Sequence, residues 1–533
     1  MNYPVWDIPL LGSGWVVGMI AIFHVMISHF AVGGGFYLIL AERKARRENR
    51  EDWLEVIRSH SHFFLLLTGV FGAISGVGIW FSIGLASPQS TSALIHNFVF
   101  GWAIEWCFFI VEIATVMVYY YTWDRIDPKT HMRIGWLYAI TSWLTLVIIN
   151  GILTFMLTPG KTWLSVAGTG RESSEFWAAF FNPTYWPSLV LRTLTCFALA
   201  GVWALVTASR IDGFVKPELK AEVIRWSARW LMPSFLLVPP ALAWYLYSIP
   251  DNSRLLLQLG VGTIGSGLFT QVARATLVTT MSSATILAVV YFLAWKNPKD
   301  FGLGHAIAVV FLALAATGAT EHAREMIRKP FTIGQYMYSN GIRRSEVVHY
   351  NQVGFTTGSV WASGSSFTTG ELMFRGQCNN CHTLDGYRAL RQLLHGRDRG
   401  AIVNLLTLLH TAPANSPYKN YMPPLVGTPA EIDALADYLN KMANPGASDT
   451  ADAAVAHGKT FFESGSCNVC HGDGGVGGPI GPVLKGIGAH KSPDQIAAFL
   501  KKPSDKAVAG GMPPSQLSDD DLKALVAYLD SLK

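Results

Sequence analysis

The chain has 533 residues, of which 50% are hydrophobic and only 14% charged, with 18 Trp, 18 Tyr and 29 Phe. A soluble globular chain carries about 25% charged residues, so disorder, coiled coil and an ordinary cytosolic enzyme are disfavoured. Residues 366–533 hold 15 Lys and Arg against 16 Asp and Glu, so the surplus behind the net charge of +5 sits in the apolar first part; that points to a lipid bilayer and not to nucleic acid.

Apolar runs long enough to cross a hydrocarbon layer about 30 Å thick occur at 14–40, 63–86, 98–122, 134–158, 188–208, 230–249, 272–295 and 303–325. Eight spans are predicted, the sixth kinked by Pro233, Pro239 and Pro240. The Gly-rich stretch 251–271 reads as a loop or a re-entrant segment. Arg43, Lys44, Arg46, Arg47 and Arg50, then Arg125, Lys129 and Arg133, then Arg210, Lys216, Lys220, Arg225 and Arg229, then Lys296 and Lys299 fall in one set of loops. The alternate loops hold only Lys161, Arg171 and Arg254. The cation-rich set is therefore cytoplasmic, which places the N-terminus and everything after the eighth span on the periplasmic side of a prokaryotic plasma membrane. The first apolar run is too long, and lacks the basic n-region, for a cleavable signal peptide; span one is expected to direct insertion itself.

Polar residues rich in Gly, Ser and Thr at 343–366 read as a linker. Beyond it the chain repeats. Gly370-Glu-Leu-Met-Phe374 leads into Cys378-Asn-Asn-Cys381-His382, and Gly458-Lys-Thr-Phe-Phe462 into Cys467-Asn-Val-Cys470-His471. A Met-Pro-Pro follows each, 40 residues after the first His at Met422 and 41 after the second at Met512. Each unit closes with an amphipathic helix, 431–441 and 519–532, carrying Tyr438 or Tyr528 16 residues after the Met. C-x-x-C-H is the attachment motif of c-type haem, with the thiols bonding the vinyl groups and the His bonding the iron; a Met thioether on the other face raises the potential. An isolated C-x-x-C pair also suits zinc or redox chemistry, but two copies with matched Met and closing helix leave that little room. The pattern resembles class I cytochrome c domains, whose haem is attached outside the cytoplasm. Cys107 and Cys196 stand alone in apolar spans, as small buried hydrophobes.

Ionisable groups inside a membrane are costly and are functional candidates. They are His24, His29, Glu105 and Glu112, with Glu321, His322 and Glu325 at the outer end of span eight. By helical rise, His24 lies about 15 Å and Glu105 about 10 Å from the outer ends of their spans. Glu105 and Glu112 are seven residues apart on one helix face, which suits a ligand above and a proton relay below. His29 is about 140° around the helix from His24 and reads as a packing or interhelical residue. His60 and His62 read as interfacial, and His96 and His131 as solvated at span ends.

At this point residues 10–340 resemble subunit I of the cytochrome bd-type oxidases. In that family a haem-ligating His in the first helix precedes a cytoplasmic Glu by 18 residues, as His24 and Glu42 do here. The family's third-helix pattern is matched by Ala103-Ile104-Glu105, Glu112 and Trp123-Asp124-Arg125, with one interval a residue shorter. His131-Met132 and Asn150-Gly151 match the elements that follow, and Glu325-Met-Ile-Arg328-Lys-Pro330-Phe-Thr-Ile333-Gly334 resembles the family's Glu-x-x-Arg-Gln-Pro-Trp-x-Ile-Gly. There are departures. After Asn182-Pro183 the family's low-spin haem His is replaced by Leu191 and Arg192, and its partner Met after Arg274 by Ala275 and Thr276. The quinol-site loop is shortened to 251–271, and the cytochrome modules stand where the last helix would be. The resemblance implies His24 and Glu325 as axial ligands, Glu105 at the same haem pair, Glu112 and Asn150 on a proton path, and Arg328 and Arg274 near haem propionates.

The expected fold is all-α: a helical membrane bundle of eight spans over 1–342, a linker over 343–366, and two small cytochrome c domains over 367–446 and 447–533. The expected cofactors are two covalent haems c, held by Cys378, Cys381, His382 and Met422 and by Cys467, Cys470, His471 and Met512, and two membrane haems of b or d type. Two functions fit. One is a bd-like terminal oxidase fed through its c haems by a c-type cytochrome or another extracytoplasmic donor, reducing O₂ or nitric oxide. The other is an electron-transfer subunit of a larger complex. A second membrane subunit is expected by resemblance.

Overall fold

The computed structural model describes residues 6–251, 253, 269–360, 362, 366–412, 421–444, 451–464, 467–478 and 481–532. Two compact units result: Met1–Val348 with Asn420–Pro423, and His349–Lys419 with Pro424–Lys533.

The first unit contains eight helices long and apolar enough to cross a membrane: Ser13–Arg47, Glu51–Ala86, Pro88–Tyr121, Pro128–Leu157, Tyr185–Ser209, Pro217–Ser248, Val272–Lys296 and Leu303–Arg328. The predicted eight spans are all present. Span three starts ten residues earlier than the apolar run at 98 because its helix continues through a non-helical Phe98. The sixth span breaks at Trp230 and Leu231, with Pro233 in the first turn of the helix that follows, while Pro239 and Pro240 sit inside that helix. Most of the stretch 251–271, including the question of re-entry, lies outside the described residues.

Span one is the hub. Consecutive glycines let three neighbours reach its backbone: a methyl at Gly33 would stand 1.9 Å from the Cys196 carbonyl oxygen of span five, one at Gly34 2.5 Å from Phe64 of span two, and one at Gly35 2.6 Å from Tyr138 of span four. Cys196 is fully buried at this contact, as a small apolar residue should be, whereas Cys107 is exposed on span three, contrary to the reading from sequence. After span eight a short hairpin pairs Phe331–Ile333 with Met337–Tyr338. Its Gly334 donates to Met156 O at 2.9 Å and leaves no room for a side chain against Leu157 O, so this element packs on the end of span four.

In the second unit the repeat reappears as geometry. Helix Thr369–Gln377 crosses Pro429–Ala443 where Gly370 would place a methyl 2.2 Å from Ala434 O and 2.7 Å from Tyr438. Helix Ala451–Ser464 crosses Asp519–Ser531 in the same way, with Gly458 against Ala524 O at 1.9 Å and Tyr528 at 2.8 Å. Phe374 meets Tyr438 and Phe462 meets Tyr528 at the two crossings.

Part of the stretch read as a linker is ordered structure. Helices Val347–Val353 and Phe355–Gly358 occupy it, and Phe355 is buried. The reason is Glu431, which accepts from Phe355 N at 2.9 Å, Thr356 N at 2.8 Å, the Thr356 hydroxyl at 2.5 Å and Thr428 N at 2.9 Å. Gly354, at φ +95°, lets the chain turn against this carboxylate. Burial alone would raise the Glu431 pKa; the Thr356 hydroxyl and the three backbone N–H groups outweigh it and hold the carboxyl below its ordinary range. Because the folded pKa is depressed, the clamp is complete above the ordinary carboxyl pKa and is lost as pH falls through the lowered value. Hydrogen-exchange mass spectrometry on residues 349–360 should show protection that is flat above about pH 5 and declines below about pH 4. Glu431→Gln should cost about 2 kcal/mol of local stability at neutral pH, close to 30-fold in protection.

Candidate functional site

His24 lies partly buried on span one. Its Nδ1 is 3.0 Å from Ser75 Oγ of span two. The Ser75 hydroxyl also lies 2.6 Å from Phe71 O and 3.1 Å from Gly72 O. With that hydroxyl donating to a carbonyl, Ser75 accepts from Nδ1, the tautomer in which Nε2 is the nitrogen suited to a metal. The neighbouring Gly76 keeps the ring face clear, since a methyl there would stand 3.2 Å from His24 Cε1. The site thus fits an iron ligand on a physical criterion independent of its place in a motif.

Span eight packs antiparallel on span one where Gly318 meets Ile22. Counting rise from that contact puts His24 and Glu325 about 13 Å apart along the helix axes. Ligands to one iron face each other across a few ångströms, so these two residues suit different irons. Glu325 is ion-paired with Arg328, whose Nη1 also donates to Thr332 O at 3.1 Å; Arg328 is engaged within the chain, with its buried Nε left unpaired. Glu321 pairs in the same manner with Arg324 at 2.7 Å. Arg274 is exposed on span seven.

Glu105 is half-buried and makes no hydrogen bond or ion pair among the described residues. Two turns along the helix, buried Glu112 accepts from Ser142 Oγ at 2.9 Å and lies 3.3 Å from Tyr138 Oη, both on span four. Asn150 is not part of the group: its amide donates to Tyr185 O at 3.0 Å and its oxygen accepts from Ser188 at 2.8 Å, which ties span four to the start of span five.

A second buried group was not anticipated from sequence. Glu42 and His131 are 0% and 1% exposed, so His131 is not the solvated span-end residue its position suggested. Glu42 accepts from Tyr119 Oη at 2.6 Å and Arg46 Nε at 2.6 Å, with His131 Nδ1 at 2.9 Å. His131 Nε2 meets Tyr119 O at 2.9 Å. The available signal was spacing: Tyr119 continues the seven-residue series of Glu105 and Glu112, and His131 stands seven before Tyr138. His60 is likewise buried instead of interfacial, with Nδ1 at 2.8 Å from Thr207 Oγ1, because span two carries it beneath Phe30 and Tyr37. His29 bonds its own helix at Val25 O, 2.9 Å away, and His62 stacks on Tyr120.

The two C-x-x-C-H histidines obey the rule seen at His24. His382 Nδ1 is 3.0 Å from Arg388 O, and His471 Nδ1 is 2.9 Å from Pro482 O. A carbonyl oxygen can only accept, so each Nδ1 carries hydrogen, the tautomer in which Nε2 is the nitrogen suited to an axial bond to haem iron. None of Cys378, Cys381, Cys467 and Cys470 is in a disulfide; packing pushes the Cys378 thiol up to about 12, with Cys381 adding to the shift, and raises Cys467. Among the described residues no cluster of three or more His, Cys, Asp or Glu is placed to hold a bare metal ion. Met422 and Met512 are half-buried in irregular stretches ahead of their closing helices.

Comparison with known proteins bears on both parts. Residues 13–242 match the family of cytochrome bd terminal oxidase subunit I, and residues 453–529 match cytochrome c oxidase, cbb3-type, subunit III. The chain is 25% identical over 210 residues to cytochrome bd ubiquinol oxidase subunit 1 of Bacillus subtilis, covering 38% of this chain and 44% of that one. It is 32% identical over 85 residues to cytochrome c oxidase subunit 2 of Alkalihalophilus pseudofirmus, covering 14% and 25%. It therefore spans less than half the length of the curated relatives it matches. In fold it is similar to the bd oxidase from Geobacillus thermodenitrificans, with TM-score 0.51 at 15% identity over 60% of this chain and 87% of that one. The chain is a multi-pass membrane protein whose first part is similar to cytochrome bd oxidase subunit I and whose C-terminal part is similar to cytochrome c oxidase, cbb3-type, subunit III.

Proposed function

We propose that this chain is a bd-like oxygen reductase that receives electrons through two c haems on the periplasmic side and holds a pair of haems in the outer half of the membrane. The observation that carries the reading is the His24 imidazole, held at Nδ1 by Ser75 inside the bilayer domain. Bound haem would supply electron storage and, at an open iron position, a place for O₂. His24 would hold one iron and Glu325 the other, in keeping with their axial offset. Glu105, without a partner of its own among the described residues, is available to the haem pair, and Glu112 with Ser142 holds a proton on the cytoplasmic side of it. Arg274 is free to meet a propionate, while Arg328 orients the Glu325 carboxylate.

Both C-x-x-C-H histidines and both Gly–Tyr helix crossings support two cytochrome modules, of which 367–446 is the first. The loop cations support a periplasmic C-terminus. A c-type cytochrome or a similar extracytoplasmic donor would then take the place of quinol, and a second membrane subunit would cover part of the exposed apolar span surface. Leu191, Arg192, Ala275 and Thr276, standing where the low-spin haem's ligands would be, favour the second reading, an electron-transfer subunit without oxygen reduction.

Pyridine haemochrome analysis should give two haems c per chain, falling to one in Cys378→Ala/Cys381→Ala. Purified protein with a reduced c-type donor and no quinol should consume oxygen, and His24→Leu should abolish uptake while leaving haem c content unchanged; absence of uptake in the unaltered chain, with every membrane haem six-coordinate, would establish the second reading. Ser75→Ala, which removes only the acceptor for the Nδ1 proton, should weaken membrane-haem retention by roughly 10–100-fold.

A further inference from the structure

Each Met-Pro-Pro of the C-terminal region runs into a short irregular segment, and the two segments are held very differently. In the first, five consecutive backbone groups are bonded. Leu425 N donates to Leu409 O at 3.1 Å, and Leu425 O accepts from His410 Nδ1 at 2.9 Å. The Gln377 carboxamide takes both groups of Val426, accepting from its N–H at 2.9 Å and donating to its carbonyl at 2.8 Å. Gly427 N donates to Asn351 Oδ1 at 3.1 Å. Gln377, Leu425 and Val426 are all buried.

In the second segment one of these bonds recurs. Ser515 N donates to Leu500 O at 2.8 Å, which aligns Ser515 with Leu425, Leu500 with Leu409, and therefore Lys501 with His410. Lys501 is turned to Asp519, 3.0 Å from its Nζ. Gln377, directly ahead of Cys378, is matched by Ser466 ahead of Cys467, which has no carboxamide. Among the described residues, Ser515 N is the only backbone group from Pro513 to Leu517 bonded outside the segment. Proline fixes φ and carries no N–H, so Pro423 and Pro424 form a stiff link, and what holds Leu425 and Val426 also limits where Met422 can go. Pro513 and Pro514 join Met512 to a segment anchored at one atom. Gln377 adds a further constraint, because it ties the chain next to Cys378 to the chain that follows Met422.

We infer that Gln377 and His410 are positioning residues that hold Met422 at the iron of the first c haem, that the second haem lacks this hold, and that electrons pass from the second module to the first. A firmly held thioether and a buried site both raise the potential of a haem. The second attachment motif is also the more open of the two: Val469 is 63% exposed, whereas Asn380 at the matching position is half-buried. Both effects make the first module the better electron acceptor and leave the second accessible to a donor. A one-electron extracytoplasmic donor is oxidised as the second iron goes from ferric to ferrous, and that iron returns to ferric as the first is reduced; no bond or proton is exchanged. The inference rests on the two-haem reading proposed above but not on oxygen reduction.

The test is a potentiometric titration of the purified full chain followed in the c-haem bands. The first haem, identified as the wave lost in Cys378→Ala/Cys381→Ala, should be the higher, holding a shared electron roughly tenfold or more over the second, about 59 mV for one electron. Gln377→Ser/His410→Lys, which gives the first module the residues of the second, should abolish that preference and weaken the far-red absorption of methionine-bound ferric haem, with two haems c still counted. His410→Lys alone keeps the Gln377 amide pair and should lower the first haem by part of that amount, which preserves the test where the double variant loses its haem. A first haem level with or below the second in the unaltered chain, or potentials and far-red absorption unchanged in the variants, would overturn the inference. A count of one haem c would overturn the two-haem reading along with it, and that count, made on the same sample, tells the two failures apart.

Discussion

A hydrocarbon layer contains no water to decide which nitrogen of an imidazole carries the proton; a neighbouring oxygen has to decide it. The proposed iron sites depend on that constraint. Ser75, with its own hydrogen on Phe71 O, is placed to take the proton of His24 at Nδ1. Carbonyl oxygens of Arg388 and Pro482 take the Nδ1 hydrogens of His382 and His471. At His131 the surroundings differ: both nitrogens face oxygens. In the proposed reading one side-chain type serves two chemistries, separated by the acceptors placed around it.

The helix packing that delivers those acceptors is set by small residues. Gly33, Gly34 and Gly35 bring spans five, two and four against the backbone of span one, and a side chain at any of them would displace a neighbour. In lipid, where apolar contact between helices gains little over contact with the solvent chains, such close approach is a main source of association. It also sets the lateral distance between Glu42 on span one and Tyr119 and His131 on its neighbours, so that buried polar contact and the glycine seam are parts of one arrangement.

Much of this was legible in advance. Span number and limits follow from apolar runs whose length is dictated by the bilayer, and the cytochrome motifs from the fixed spacing of two thiols and an imidazole. His24, Glu105 and Glu112 stood out because a charge in an apolar run is expensive. What escaped was pairing across helices. His131 lies three residues into its helix, where position alone suggests solvent, and only the structure shows Glu42 and Tyr119 closing over it. Asn150 looked like a proton carrier by resemblance, yet Tyr185 and Ser188 bind both ends of its amide. The residues at 347–358 looked like linker by composition, since nothing local announces that a glutamate some 75 residues onward will take up their backbone N–H groups.

The two halves of the chain fit together chemically once charge is followed. Reducing an oxidant inside a low-dielectric layer adds negative charge, and each electron must be matched by a proton or the next will not arrive. In the proposed reading, a subunit I-like domain with Leu191 and Arg192 where the low-spin haem ligands would stand takes its electrons from covalent haem carried on the same polypeptide. Among the buried carboxylates, Glu112 has Ser142 as donor, and Glu42 has Tyr119, Arg46 and His131 around it. Two buried carboxylates in lipid each cost several kcal/mol unless compensated, and these hydrogen bonds supply the compensation. In the proposed reading that outlay serves the coupling of electron arrival to proton uptake.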